Sequence, residues 1–298
     1  MSGTRPRKAT VAGQVYLALR SKAKLEHRPT DELLQLYALE GFLGRLAAST
    51  HSPKLVLKGG VLLAAYEVRR PTRDVDLQGT AISNDTGELL DLIREVASIE
   101  QPDGLAFATA EAHAEVIRDG DEYSGVRVSL QCSLASARIH FHVDVNVGDP
   151  IWPAPQMVAL PRLLGGEIAL AGYPLAMVYA EKVVTAIQRG IANTRWRDFA
   201  DLYLLSGGRA ADGTELERSF AAVAAYRKAE LVPLAHALAG FAGVGQQRWA
   251  TWRRKQRLEE RLPLSFAEVL DVVIRFADIP IRRLATGKAW DGASRLWS

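Results

Sequence analysis

Two aspartates, Asp74 and Asp76, stand two residues apart in a short apolar run, with a glycine pair upstream of them in the chain. On an extended strand both side chains point to the same face of a sheet, because side chains alternate with a period of two. Two carboxylates on one face repel each other unless a positive charge lies between them. Since Mg²⁺ is commonly held by one or two carboxylates together with substrate phosphates, this run predicts a metal site.

The glycine pair, Gly59-Gly60, ends a short β-like run over Lys54 to Lys58, and Val61 to Val68 follows with helical character. Without Cβ atoms, backbone N–H groups at the start of a helix can closely approach a phosphate. The glycines and the aspartates together predict a site for a metal and a nucleotide. A tight turn followed by a surface strand with two solvated aspartates explains the same residues equally well.

Strand and helix signals divide the chain into two parts. Helical periodicity is found over residues 11–23, 31–49 and 88–98, and strand-like runs cover residues 54–58, 74–77, 107–117, 125–132 and 138–147, with a hairpin turn over 118–122. A connector with Pro153, Pro155 and Pro161 follows, and from Pro174 the pattern is helical almost to the end. We therefore predict an α+β fold with one domain over residues 1–155 and a helical domain over 156–298.

A third aspartate, Asp144, lies in a run that alternates strictly from Ile139 to Val147, with His140, His142 and Asn146 on its own face. An aspartate in an otherwise apolar strand costs free energy unless it is paired or bound to a metal. With the first two aspartates it would place three carboxylates around one or two metal ions. On a half-exposed antiparallel sheet, the same residues would simply face solvent.

The helical half contains two further signals. Lys182 lies beside an apolar helical run, where a lysine either delivers charge to a phosphate or snorkels to the surface. Asp198 and Asp201 share a helix face, although acids in a first helical turn are also favoured by the helix dipole. Lys182 and Asp198 are too far apart for one helical face, so only a helix–turn–helix can bring them together.

In their order along the chain, these features resemble the AbiEii/AbiGii-type nucleotidyltransferase toxins, which include the mycobacterial MenT proteins. The matching segments are residues 57–63, 72–77, 143–145, 180–182 and 197–202. The resemblance implies a DNA polymerase β-like nucleotidyltransferase fold with a mixed sheet, followed by an α-helical C-terminal domain. It implies an NTP, Mg²⁺ or Mn²⁺, transfer of nucleotides to the acceptor end of tRNA, and an antitoxin from the same operon.

The residues and the resemblance together give a set of candidate roles. The catalytic candidates are Asp74, Asp76, Asp144, Lys182 and Asp198, of which the first three are the metal candidates. The nucleotide-binding candidates are Lys58, Gly59, Gly60, Thr72, Arg73 and Lys182. Asp198 would position Lys182 or the nucleotide rather than bind metal. The wider superfamily often has Gly-Ser where this chain has Gly-Gly, so backbone N–H groups must bind the phosphate without a hydroxyl. A phosphoryl group on Thr72 would add about two negative charges beside the carboxylates and silence the enzyme.

The charge balance bears on partners and location. The net charge of +3 permits an anionic partner without requiring one. The RNA-binding candidates are Arg253, Arg254, Lys255 and Arg257, with Trp249 and Trp252 adjacent, although a solvated helix face fits this acid-flanked segment equally well. With no apolar run of membrane-spanning length and no signal core, we expect a cytoplasmic protein without a membrane partner. The single cysteine, Cys132, is expected to be a buried, inert thiol.

Three alternatives remain open from the sequence. The same core could transfer a nucleotide to a small molecule such as an aminoglycoside, or to a protein by AMPylation. A degenerate nucleotidyltransferase fold could instead serve as a non-catalytic interaction module. The basic segment favours RNA as the acceptor, and the retained carboxylates favour catalysis.

Overall fold

The computed structural model describes residues 9–118 and 124–298, which divide into two compact units. The first unit runs to Gly148 and includes Gln156–Gly172, whereas the second comprises Asp149–Pro155 and Tyr173–Ser298. The units therefore differ from the predicted domains over residues 149–172, because two further strands after the proline-containing connector join the sheet of the first unit. The predicted hairpin turn falls mainly on residues 119–123, outside the described residues.

The first unit contains the predicted helices and strands. Its described helices are α1 (Val11–Leu25), α2 (Thr30–Ala48), α3 (Gly59–Leu62) and α4 (Thr86–Ala97). Its described strands are β1 (Leu55–Lys58), β2 (Asp74–Gly79), β3 (Leu105–Phe107), β4 (His113–Arg118), β5 (Ser124–Leu134), β6 (Ala137–Val147), β7 (Gln156–Pro161) and β8 (Glu167–Gly172). A 3₁₀ turn at Thr109–Glu111 divides the single strand predicted over residues 107–117 into β3 and β4. The helix predicted after the glycines begins at Gly59 and continues as a 3₁₀ helix over Leu63–Tyr66.

The strands of the first unit form one mixed sheet. Among the described residues the order is β3-β5-β6-β2-β1-β8-β7, with β4 also paired to β5. β2 runs parallel to β6, and β1 runs parallel to β8. The remaining neighbours are antiparallel. The mixed sheet, followed by a largely helical unit, confirms the predicted fold class.

Strand β6 has one apolar face in the core and one polar face on the opposite side of the sheet. Its side chains at Ile139, Phe141, Val143 and Val145 are buried. α2 packs against this apolar side, where Phe42 meets Phe141 edge-on at a centroid distance of 6.0 Å. Burial of each such side chain contributes about 1.5–3 kcal/mol to stability. Because side chains alternate, this packing directs His140, His142 and Asp144 to the other face.

The second unit is mainly helical. Its helices are α5 (Leu175–Arg189), α6 (Trp196–Gly208), α7 (Gly213–Tyr226), α8 (Leu234–Ala237), α9 (Phe241–Lys255) and α10 (Phe266–Ile281). Three short strands form an antiparallel sheet that was not predicted: β9 (Ala211–Asp212), β10 (Ala289–Asp291) and β11 (Leu296–Trp297). Strands of two or three residues are too short for alternation to reveal them. In the described part of the chain, no helix has the length and apolar character needed to cross a membrane.

Candidate active site

A row of four charged residues crosses neighbouring strands of the sheet. The backbone register places Arg127 of β5 beside Asp144 of β6, Asp144 beside Asp76 of β2, and Asp76 beside Lys58 of β1. Residues in register lie on the same face of a sheet, where adjacent like charges destabilise and opposite charges stabilise each other. Two carboxylates are therefore bracketed by two cations, and we call these four residues the charged row.

The surroundings of Asp76 in the charged row disfavour the ionised form of its carboxyl. Burial raises the pKa of its carboxyl, and the neighbouring Asp144 and Asp74 carboxylates raise it further. Lys58 and the backbone N–H of Gly60, which donates to Oδ2 of Asp76 at 3.3 Å, offset this rise only in part. Additional positive charge at this position would therefore stabilise the ionised carboxylate.

Gly59 allows the backbone to approach Asp76 closely. Its φ of +67° lies in the left-handed region, and a Cβ at this position would lie 1.9 Å from Oδ2 of Asp76. A Cβ on Gly60 would lie 3.0 Å from Oγ1 of Thr72 and 3.2 Å from the guanidinium nitrogens of Arg70. The predicted close-approach turn is present, and Arg70 is a cation at this turn that sequence reasoning missed. In the sequence, Arg70 is distinguished only by its position directly before Pro71.

Asp144 is held by a partner that the sequence did not reveal. Arg127 donates from Nε to Oδ1 at 2.8 Å and from Nη2 to Oδ2 at 2.7 Å, which is a bidentate pair. The hydrogen bond with Asp144 raises the pKa of Arg127, so the guanidinium stays charged. The register of the β5–β6 hairpin brings the two together, and Ala135-Ser136 gives no typical turn signal from which that register could be predicted. The role of Asp144 as a metal ligand stays a prediction.

The carboxylates of β2 are the side chains that bear on the expected metal. Within the described residues, no group of three or more His, Cys, Asp or Glu side chains is arranged to hold a metal ion. Asp74 and Asp76 nevertheless place two carboxylates on one face of β2. Mg²⁺ is held in proteins by one or two carboxylates and keeps waters and substrate phosphates as its other ligands. The two aspartates therefore fit a hard divalent cation.

Three other nucleotide-binding candidates of the first unit, Lys58, Thr72 and Arg73, differ in their exposure to solvent. Lys58 is buried and belongs to the charged row. Thr72 is half-buried and donates a hydrogen bond of 3.4 Å from Oγ1 to the carbonyl of Asp74. Arg73 is exposed. Thr72 thus faces the glycine turn, whereas Arg73 presents its side chain to solvent.

A second charged cluster lies within the second unit. Lys182 of α5 donates from Nζ to Asp198 at 3.0 Å and to Asp201 at 2.8 Å, both on α6. Arg195 donates from Nε to the other oxygen of Asp198 at 2.7 Å. Burial alone would raise the pKa of Asp198, but Lys182 and Arg195 outweigh it and hold this pKa well below its usual range. The predicted helix–turn–helix contact is confirmed. With 12 % of its side chain exposed, Lys182 is not a snorkelling surface lysine.

Residues 41–272 match the family model described as nucleotidyl transferase AbiEii toxin, type IV toxin–antitoxin system. The chain belongs to this family. It is therefore a nucleotidyltransferase enzyme and the toxin of a toxin–antitoxin pair, whose partner is a cognate antitoxin. The matched residues include both glycines, all three aspartates of the sheet, and the lysine cluster of the second unit.

Solved structures of low sequence identity are also similar to the AbiEii-family toxin. JHP933 from Helicobacter pylori is 15% identical, with 85% of this chain and 93% of that chain covered and a TM-score of 0.49. A proposed nucleotidyltransferase from H. pylori is also 15% identical, with 85% and 96% covered and a TM-score of 0.47. No curated protein matches the chain.

The basic segment of the toxin lies at the end of α9. Arg253 donates to the carbonyls of Leu262 at 2.8 Å and Glu259 at 2.6 Å, so its guanidinium holds the following loop. The exposed members of the segment are Arg254, Lys255 and Arg257. Trp249 is fully buried and stacks on Trp252 at a centroid distance of 5.4 Å. Trp249 therefore serves the core of the second unit, and three exposed cations remain as the RNA-binding candidates.

Proposed function

We propose that the toxin transfers a nucleoside monophosphate from an NTP to the 3′-hydroxyl of an RNA, with the acceptor end of tRNA as the leading candidate. Modification of that end would block translation. The charged row, with a glycine turn beside its central carboxylate, is the observation that carries this proposal. It combines two neighbouring carboxylates, a backbone donor and two cations on one sheet face.

Asp74 and Asp76 would hold Mg²⁺ or Mn²⁺, which when bound supplies positive charge to the triphosphate and to the departing pyrophosphate. The two side chains contribute oxygen ligands of the hard type that these ions prefer. The raised pKa of Asp76 supports this role, because a carboxyl crowded by like charges is stabilised as an anion by a bound cation.

The glycine turn is proposed to hold the triphosphate. A backbone without Cβ atoms at the start of α3 can bring its N–H groups to phosphate oxygens. The guanidinium of Arg70 and the hydroxyl of Thr72 both lie beside Gly60 and would add donors on the same side. Lys182 stays a proposed nucleotide-binding residue of the second unit, with Asp198 and Asp201 fixing the position of its ammonium group.

Asp144 is proposed to orient the attacking hydroxyl. Both of its oxygens accept hydrogen bonds from Arg127, which fixes the carboxylate, and each oxygen retains a further lone pair for the hydroxyl. The hydroxyl oxygen then bonds to the α-phosphorus, while the bond from that phosphorus to the bridging oxygen breaks and releases pyrophosphate. The hydroxyl proton passes to Asp144 or to water. A supporting role toward a second metal ion is the other proposal for this side chain.

The reaction is tested by mixing the toxin with each α-labelled NTP in turn, together with tRNA, total RNA, an aminoglycoside mixture or no acceptor. We expect label on RNA, with strong preference for tRNA, in the presence of Mg²⁺. Asp76→Ala should abolish the label, whereas Asp271→Ala, which removes an exposed carboxylate of α10, should not. Label found only on the small molecules or on the toxin itself would refute the RNA acceptor. Full activity of Asp76→Ala would refute the site.

A further inference from the structure

The polar face of β5 and β6 continues beyond the charged row. Three cross-strand pairs follow Arg127–Asp144 on the same face, because positions two apart on a strand point to the same side. They are Ser129–His142, Gln131–His140 and Ser133–Arg138, which we call the acceptor strip. Ser129 and His142 contact each other through Oγ and Nδ1 at 3.1 Å.

Exposure increases along the acceptor strip away from the charged row. Asp144 is buried with 7% of its surface exposed, His142 is half-buried, and His140 and Arg138 are exposed. From Asp144 to Arg138 the strand extends about 20 Å, since each residue adds about 3.3 Å. A short chain lying on the strip would therefore run from solvent to the buried carboxylate.

The geometry of the reaction indicates from which end of the strip the attacking hydroxyl approaches the phosphorus. In phosphoryl transfer the attacking and leaving oxygens lie roughly in line on opposite sides of the phosphorus. If the triphosphate is held at the glycine turn beside Lys58 and Asp76, pyrophosphate leaves toward β1. The attacking hydroxyl then approaches from the side of Asp144 and Arg127, where the acceptor strip begins. This step rests on the proposed function.

The chemistry of the strip fits unpaired nucleotides. None of its six residues is acidic, and they comprise one arginine, two histidines, one glutamine and two serines. Histidine and arginine side chains stack on exposed bases, arginine also pairs with phosphates, and amides and hydroxyls hydrogen-bond base edges. In a duplex the base faces are stacked and the Watson–Crick edges are paired, so only phosphates, 2′-hydroxyls and minor-groove edges would remain for the strip.

We propose that the acceptor strip binds the last unpaired nucleotides of the acceptor RNA and delivers its 3′-hydroxyl to Asp144. Arg138 and His140 form the entrance, and Ser129 and His142 lie next to the reacting end. The toxin should accordingly prefer RNA with a single-stranded 3′ end over RNA whose 3′ end is paired.

The proposal is tested with Arg138→Ala/His140→Ala, measured on an RNA hairpin with a four-nucleotide 3′ overhang. We expect the KM for this RNA to rise about tenfold, which is 1.4 kcal/mol. The KM for NTP and the thermal midpoint should stay unchanged. The matched control is Arg20→Ala/Lys24→Ala, which removes two exposed cations from α1 and should change neither KM. With 4-thiouridine at the second nucleotide from the 3′ end, irradiation should cross-link the RNA to a peptide of β5 or β6.

The two hypotheses fail in different ways. If the wild-type toxin labels RNA but the double variant keeps its KM for RNA, or if the cross-link maps outside β5 and β6, the acceptor strip is refuted while the RNA acceptor stands. If the wild-type toxin labels no RNA at all, the proposed function is refuted, and the acceptor strip with it.

Discussion

Replacement of Gly59 by alanine should disable the site without removing any polar group from it. The residue has a φ of +67°, which costs an L-amino acid about 1–2 kcal/mol. The new methyl group would also lie 1.9 Å from Oδ2 and 2.6 Å from Cβ of Asp76, so strand and turn must separate by roughly 1 Å to restore normal contact. A shift of that size in a catalytic group costs about 100-fold in rate.

A matched control separates the strain from the collision. Gly165 has a φ of +97°, but a Cβ at that position would meet nothing within 4 Å, so Gly165→Ala pays the strain alone. Urea unfolding should show a loss of about 1–2 kcal/mol for Gly165→Ala and a clearly larger loss for Gly59→Ala. Nucleotide transfer should be near wild type in Gly165→Ala and about 100-fold lower in Gly59→Ala. Equal stability losses with equal activities would refute the close approach of Gly59 to Asp76.

Four further predictions concern charge and burial. Lys182→Met leaves Asp198 and Asp201 buried without their shared ammonium and should destabilise the fold by about 3 kcal/mol in urea unfolding; an unchanged midpoint would contradict the cluster. Because the folded pKa of Asp198 is lowered, its contribution to stability is present above its unfolded pKa and is lost as the pH falls below about 4. Asp198→Asn should therefore flatten the acid side of the stability profile, and an unaltered profile would argue against the pairing. Burial raises the pKa of the Cys132 thiol to about 12, so a disulfide reagent at pH 8 should react only after unfolding. Rapid reaction of the native thiol would contradict its burial. Arg254→Ala/Lys255→Ala should weaken RNA binding. The slope of log binding constant against log salt, measured by anisotropy from 50 to 300 mM salt, should fall by the equivalent of about two phosphate contacts. An unchanged slope would remove this segment from the RNA-binding surface.

Local patterns predicted the elements that carry the site. Alternation placed Asp74 and Asp76 on one face of β2, and the long spacing between Lys182 and Asp198 correctly required a helix–turn–helix. The buried state expected for Cys132 is confirmed, and burial raises the pKa of its thiol despite the opposing charge of Arg45.

Features that depend on the pairing of strands escaped prediction. The pair between Arg127 and Asp144 follows from the register of the β5–β6 hairpin, in which Leu134 pairs with Ala137 across Ala135 and Ser136, and these two residues are not a typical hairpin-turn sequence. β7 and β8 were missed because prolines suggested a connector. Pro161 is the last residue of β7, an edge strand of the sheet, and a proline there removes no ladder hydrogen bond from the interior of the sheet.

The register of β6 affects both the stability and the activity of the toxin. A slip of one residue would turn Phe141 and Val143 toward the polar face and Asp144 into the core. Burial of a carboxylate among apolar side chains costs several kcal/mol, and exposure of the two apolar side chains forfeits about 1.5–3 kcal/mol each. The core under α2 therefore excludes a one-residue slip and keeps Asp144 on the face where it pairs with Arg127 and neighbours Asp76. The apolar side of β6 thus determines which face of the sheet carries the charged row.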